Sequence, residues 1–220
     1  MSNENTISST LVAKDSLHPV IRSNLSFNTT FPRTQCALDV IYELPPSVFV
    51  DPNQLADRKS MLGQATILGE TDLEVPLESV KDSRGSIVVL REPSTYPVDL
   101  PIHLRYQKPS NTPYRDIVIK PPVAGWTCLS TPTLHQRIPL PPLPEKWLRT
   151  TPAMFESFHS TDAADLQLKV PVGNEQEINM IEIGTTICVI LCTLWVSVSV
   201  WKAVTRRRRY EAKGKRRKSE

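Results

Sequence analysis

The chain is poor in the residues from which most catalytic loops are built. Seven glycines occur in 220 residues, and none falls in a Gly-x-Gly-x-x-Gly, a phosphate-binding loop or a Gly-x-Ser-x-Gly. Neither a dinucleotide cradle nor a nucleophile elbow is therefore encoded. The Asp-x-Asp metal site of many nucleotide-sugar transferases is missing as well. Four histidines, His18, His103, His135 and His159, are scattered, and none stands beside a recognisable nucleophile. The four cysteines make no metal-ligand spacing with them. These gaps predict a chain without a cofactor and without a catalytic residue of its own. Also absent from the first twenty residues is an apolar run of the secretory kind.

What the sequence does have is concentrated near its C-terminus. From Ile183 to Trp201, nineteen residues run without a charge. A helix rises about 1.5 Å per residue, so this stretch reaches roughly 28 Å, close to the hydrocarbon thickness of a bilayer. Trp201 suits the headgroup boundary. A buried helix of a soluble protein seldom goes so long without a polar face. Residues 183–201 are read as one transmembrane helix.

Charge predicts its orientation. Lys202 to Glu220 hold ten Lys/Arg against Glu211 and Glu220, and the rest of the chain holds 16 basic and 21 acidic residues. Positive residues stay on the cytoplasmic side, which makes residues 202–220 a basic cytoplasmic tail and places residues 1 to about 180 in a lumenal or extracellular space. A basic cluster directly after a span points to stop-transfer and anionic-lipid contact, so no nucleic-acid partner is expected. The tail ends Arg217-Lys218-Ser219-Glu220, similar to the dilysine type of endoplasmic reticulum retrieval signal.

Two features suit an oxidising, glycosylating compartment. Asn24-Leu-Ser and Asn28-Thr-Thr are acceptor sequons, and they lie in a Ser/Thr/Asn-rich stretch read as a flexible N-terminal segment, residues 1–33. Cys188 and Cys192 fall within the span, which leaves Cys36 and Cys128 outside. Those two either close one disulfide, worth on the order of 4 kcal/mol by chain-entropy estimates, or remain buried thiols.

Residues 34–175 are read as one β-rich domain. Thr34–Leu44, Ser86–Arg91, Val98–Tyr106, Arg115–Lys120 and Asp165–Val172 are short alternating or β-branched runs bounded by turn formers. Thirteen prolines lie between Pro93 and Pro152, and each removes a ladder donor, so the strands should be short, bulged or at edges. Asp51-Pro52 predicts a short helix, with Asp as cap and Pro at its first position. Regularly spaced short strands suggest a mainly β, sandwich-like domain followed by one transmembrane helix. Pro139 to Pro144 is suited to a polyproline II helix and is read as a rigid connection.

Three blocks carry a family resemblance. Leu44-Pro-Pro-Ser-Val-Phe-Val-Asp-Pro-Asn-Gln-Leu-Ala56 is similar to the P-x-G-hydrophobic-aromatic-V-D-P-Y-E-L signature of the PIG-X family. Leu100-Pro-Ile-His-Leu-Arg-Tyr-Gln-Lys-Pro109 is similar to its L-P-V-H-x-R-Y-x-x-P signature. Val170 to Gly173, some ten residues ahead of the span, matches its Val-Pro-Val-Gly. Ser47 stands where the pattern has glycine, and Asn53-Gln54 where it has Tyr-Glu. The resemblance implies a non-catalytic, stabilising subunit of glycosylphosphatidylinositol (GPI) mannosyltransferase I in the endoplasmic reticulum membrane. Its partner would be the multi-span catalytic subunit, PIG-M, which adds the first mannose on the lumenal side. Asp51, Pro52, Pro101, His103, Arg105 and Tyr106 are then the residues expected to matter most. His103 and Arg105 share one strand face. They either make directional hydrogen bonds to the partner's loops or satisfy buried carbonyls inside the domain.

Two readings outside that family role are a broader lumenal chaperone and a tail-anchored cytosolic adaptor presenting Pro139–Pro144. The adaptor would have to move ten cations through the bilayer.

Overall fold

Residues 4–14, 16–27, 36–80, 85–129, 153–161 and 164–217 are described by the computed structural model. They divide into two units: residues 1–108 with 114–172, and residues 109–113 with 173–220.

Alternating side chains build the first unit. In β3 (Cys36–Leu44), Leu38, Val40, Tyr42 and Leu44 are all buried on the inner face, and Val88 and Leu90 do the same in β6 (Ser86–Arg91). These strands lie in a five-stranded sheet ordered β11-β10-β3-β6-β5, with β5 at Gln64–Gly69, β10 at Val123–Leu129 and β11 at Ala153–Ser157. The second sheet is four-stranded, ordered β12-β1-β2-β7, with β1 at Thr6–Val12, β2 at Val20–Ser26, β7 at Val98–Pro101 and β12 at His159–Ser160. Ile7, Leu11 and Ile21 of this sheet join the inner residues of the other in one core. Each such side chain contributes roughly 1.5–3 kcal/mol by leaving water. Two short pairs complete the unit: β4 (Val48–Phe49) with β8 (His103–Leu104), and β9 (Tyr114–Ile119) with β13 (Leu166–Pro171). The architecture is mainly β, as expected.

One expectation needs correction. Residues 6–12 and 20–26, expected within a flexible segment ahead of the domain, are strands of it: β1 and β2 pair over seven residues each, from Thr6 opposite Ser26 to Val12 opposite Val20. The polar composition misleads because two of its hydroxyls, Ser9 and Ser23, are buried and satisfy one another. Ser9 Oγ donates to Ser23 Oγ at 3.2 Å, and Ser23 Oγ meets the Tyr42 hydroxyl of the facing sheet at 3.1 Å. Hydrogen-bonded in this way, buried serines no longer carry a large desolvation cost.

A second difference concerns Val98–Tyr106. It is not one strand. The run breaks at Ile102, with β7 pairing to β2 and β8 pairing to β4. Pro101 ends the first ladder, and the Ile102 and Leu104 amides donate to Pro19 O and Leu17 O at 3.0 and 3.1 Å.

The second unit carries the apolar helix, Ile178–Arg217, preceded by a short 3-10 turn whose Asn174 side chain accepts from the Gln176 amide. It is long and apolar enough to cross a membrane, with a mean hydropathy of 2.1 over its most apolar window. Thr186, Thr193 and Ser199 donate to the carbonyls of Glu182, Val189 and Trp195 at 2.7, 2.8 and 2.8 Å. Hydroxyls satisfied within the helix suit it to an environment without water. In the same unit the Ser110 amide donates to Gly173 O at 2.9 Å.

Candidate functional site

The strand β3 stops at Leu44 because Pro45 and Pro46 follow, and neither can donate to a ladder. The chain turns there, with the Val48 amide donating to Pro45 O at 2.9 Å, and resumes as β4 against β8. Val48 lies opposite Leu104 and Phe49 opposite His103. The Arg105 amide adds a bond to Ser47 O at 2.9 Å. Two signature blocks more than forty residues apart in sequence are thereby laid side by side.

Phe49 is where they meet. The His103 imidazole stacks on its ring at 5.3 Å between centroids, with 23° between planes. The Arg105 guanidinium carbon lies 4.6 Å from the same centroid, a cation–π contact. Arg105 is 5 % exposed. Its Nη1 donates to Val75 O and its Nη2 to Asp72 O at 2.8 Å. Burial draws its pKa below the ordinary arginine value, with Glu70 and Asp72 pulling the other way. Arg105 therefore satisfies backbone carbonyls inside the domain, the second of the two roles left open by its sequence.

His103 is fixed from both ring nitrogens. Its Nε2 is hydrogen-bonded to the Gln54 side-chain amide, 3.0 Å from Oε1, and its Nδ1 shares a hydrogen bond with His18 Nδ1 at 2.7 Å. Burial lowers the His103 pKa, the neighbouring charge of His18 lowers it further, and Asp51 opposes them.

Asp51 caps the helix that carries Gln54. Its Oδ1 accepts from the Asn53 amide at 2.8 Å, and Pro52 occupies the first turn of α1 (Pro52–Asp57). Leu55 roots that helix in the core, and α2 (Lys59–Leu62) follows and ends at Gly63. With φ at +71°, Gly63 has a backbone that a side chain would strain.

Of the residues singled out by sequence, Asp51, Pro52, His103 and Arg105 converge on this cluster. Pro101 is buried beside it at the end of β7, opposite Val20. Tyr106 is different, being 86 % exposed immediately after Arg105. Phe49, Gln54 and His18 were not anticipated. Phe49 was legible as the aromatic position of the first signature. Gln54 stands at the pattern's glutamate and keeps its acceptor oxygen. Nothing in the sequence tied His18 to His103.

The Cys36 and Cys128 sulfurs are bonded, across directly opposed positions of β3 and β10. Cys188 and Cys192 are free and exposed. Asn24 is exposed on β2 rather than in a loop. Asn28, His135 and Pro139–Pro144 lie outside the described residues. His159 opens β12 and is exposed. Among the described residues, no group of three or more His, Cys, Asp or Glu could hold a metal ion. The polar groups around Phe49 are turned on one another, an arrangement suited to holding loops in place.

The profile of the PIG-X / PBN1 family matches residues 14–201. The chain belongs to that family. Among similar proteins are "Protein pbn1" of Aspergillus oryzae, 29% identical over 96% of this chain and 45% of the relative. "Protein PBN1" of Gibberella zeae is 30% identical over 86% of this chain and 41% of its own length. "Protein pbn1" of Aspergillus fumigatus is 30% identical over 86% of this chain and 45% of its own. The chain thus spans less than half the length of the curated relatives it matches. No solved structure matches it. In this PIG-X / PBN1 member, two of the three blocks that carried the family resemblance pack together around Phe49.

Proposed function

We propose that this chain is a non-catalytic subunit of GPI mannosyltransferase I, acting in GPI-anchor biosynthesis by stabilising a catalytic subunit of the PIG-M type. The observation that carries the reading is the internal use of the signature residues. His103 pairs with Gln54, Arg105 donates to the Asp72 and Val75 carbonyls, and Asp51 accepts from the Asn53 amide of its own helix, which suits a shaped binding domain and not a reaction centre. The apolar helix supports placement beside a multi-span enzyme, with the strand domain in the lumen of the endoplasmic reticulum, the basic tail cytoplasmic, and membrane lipids as its other partner.

Endoglycosidase treatment of the full-length protein tests this in cells carrying a tagged catalytic subunit. A mobility shift that disappears in the Asn24→Gln, Asn28→Gln double variant is expected, together with co-purification of the mannosyltransferase after mild detergent extraction. A domain open to added protease outside sealed microsomes would sink the topology. Equal recovery of many unrelated clients would favour a general lumenal chaperone.

A further inference from the structure

Within the second unit, Ser110 is tied to the chain just ahead of the apolar helix. Its amide donates to Gly173 O at 2.9 Å, and its carbonyl accepts from the Glu175 amide at 3.3 Å. The 3-10 turn Glu175–Glu177 then runs straight into the helix at Ile178. The uncharged stretch begins at Ile183. A headgroup layer adds roughly 5–7 Å beyond the hydrocarbon, which covers the first helical turn, Ile178–Glu182. A bilayer around this helix therefore ends close to the turn that Ser110 holds.

The two most exposed tyrosines of the first unit flank that tie. Tyr106 is 86 % exposed and Tyr114 58 %, against 1 % for Tyr42 and 45 % for Tyr96. Each stands four residues from Ser110. Whatever the arrangement of the two units, neither Cα can lie more than about 14 Å from it. Both tyrosines sit on fixed backbone. Before Tyr106 the Arg105 amide donates to Ser47 O at 2.9 Å, and after it Gln107 Nε2 donates to Arg105 O at 2.8 Å. Tyr114 opens β9 opposite Pro171, the last pair of the ladder before the chain runs on to the helix.

We propose that Tyr106 and Tyr114 form an aromatic belt seated among zwitterionic phospholipid headgroups of the leaflet that the helix enters at Ile178. A tyrosine suits that layer because its ring is apolar while its hydroxyl stays hydrated. Glu175, Glu177 and Glu182 are exposed on the pre-helical turn and the first helical turn. Carboxylates at that level repel anionic lipid, so phosphatidylcholine-type headgroups are the class that fits. The proposal rests on the helix spanning a membrane, as read above, and holds for either orientation of the span.

The test uses the full-length chain in phosphatidylcholine vesicles, with a benzophenone amino acid replacing Tyr106, Tyr114 or, as control, Thr10, which is exposed on β1. After irradiation, phospholipid adducts from positions 106 and 114 should each exceed those from position 10 at least tenfold. Adducts no greater than the control would overturn the belt. So would adducts that, in native membranes, form with a protein in place of lipid. Alkaline carbonate extraction of the same vesicles reads the span separately. A chain that resists extraction but gives no lipid adducts at 106 and 114 loses the belt and keeps the span, whereas a chain released by carbonate loses both.

Discussion

The Arg105 guanidinium sits 4.6 Å from the centre of the Phe49 ring, so a residue of one signature block rests on a residue of the other. Arg105 also carries the carbonyls of Asp72 and Val75. One buried cation thus ties β4, β8 and the loop after β5 together. Its removal should leave the Asp72 and Val75 carbonyls short of a donor and the ring without its charge contact. Arg105→Ala is expected to destabilise the domain by about 3 kcal/mol. Arg105→Lys should recover little of this, because a point charge cannot reach two carbonyls in a fixed fork. Urea denaturation of the purified full-length protein measures both; a loss below about 1 kcal/mol for the alanine variant would contradict the role.

His103 makes a pH prediction. Its pKa is lowered in the fold, by burial first and by the charge of His18 second, with Asp51 opposing. The unfolded chain therefore binds this proton more readily than the folded one. Stability from the neutral imidazole is full above the unfolded pKa of about 6.5 and declines as pH falls below it, until the folded form also protonates. Thermal midpoints measured from pH 7.5 to 5 should fall, and His103→Gln should flatten that part of the curve. A slope that persists unchanged in the variant would assign it to other groups.

Much of the strand core could be read from alternation. Leu38, Val40 and Tyr42 were placed on one face of β3 by their alternation, and β6 was bounded correctly as a short β-branched run, Ile87–Leu90, between Ser86 and Arg91. The first two strands escaped for a definite reason. Their inner positions include Ser9 and Ser23, whose hydroxyls pair with each other and with Tyr42. A serine satisfied in the core looks in sequence like a serine in a loop. The signature cluster was half legible. The resemblance pointed to His103 and Arg105, but their partners His18, Asp72 and Val75 come from connections whose sequences carry no periodic signal.

Tyr42 provides a direct check on that hydroxyl chain. Its side chain is fully buried, burial raises its pKa well above the ordinary tyrosine value, and Ser23 supplies a hydrogen bond. Tyr42→Phe should cost about 1 kcal/mol, the usual net worth of one hydrogen bond. Ser23→Ala should cost a similar amount, and the double variant clearly less than the sum, since the two changes delete a shared contact. Additive losses would show that the two hydroxyls do not interact.

The Cys36–Cys128 bond closes a separation of 92 residues between β3 and β10. By chain entropy, such a loop is worth roughly 4 kcal/mol, more than most single side chains contribute. The paired Cys36→Ser, Cys128→Ser variant should be protease-sensitive at temperatures where the parent resists. Non-reducing mass mapping of the parent should recover the two cysteines in one linked peptide. Full alkylation of Cys36 without reductant would refute the bond.

Tyr106 separates a structural signature residue from a recognition residue. It follows buried Arg105 directly yet is 86 % exposed, so folding gains little from its ring. Tyr106→Ala should change stability by less than about 0.5 kcal/mol. Asp51→Ala, which removes the cap on α1, should cost about 1 kcal/mol. If Tyr106 is held in the motif for its partner, its alanine variant should lose much of the co-purifying mannosyltransferase while the domain stays as protease-resistant as the parent. Asp51→Ala should show the opposite balance, with weaker folding and a loss of partner no greater than the fraction unfolded. Full partner recovery with Tyr106→Ala would confine recognition to other surfaces.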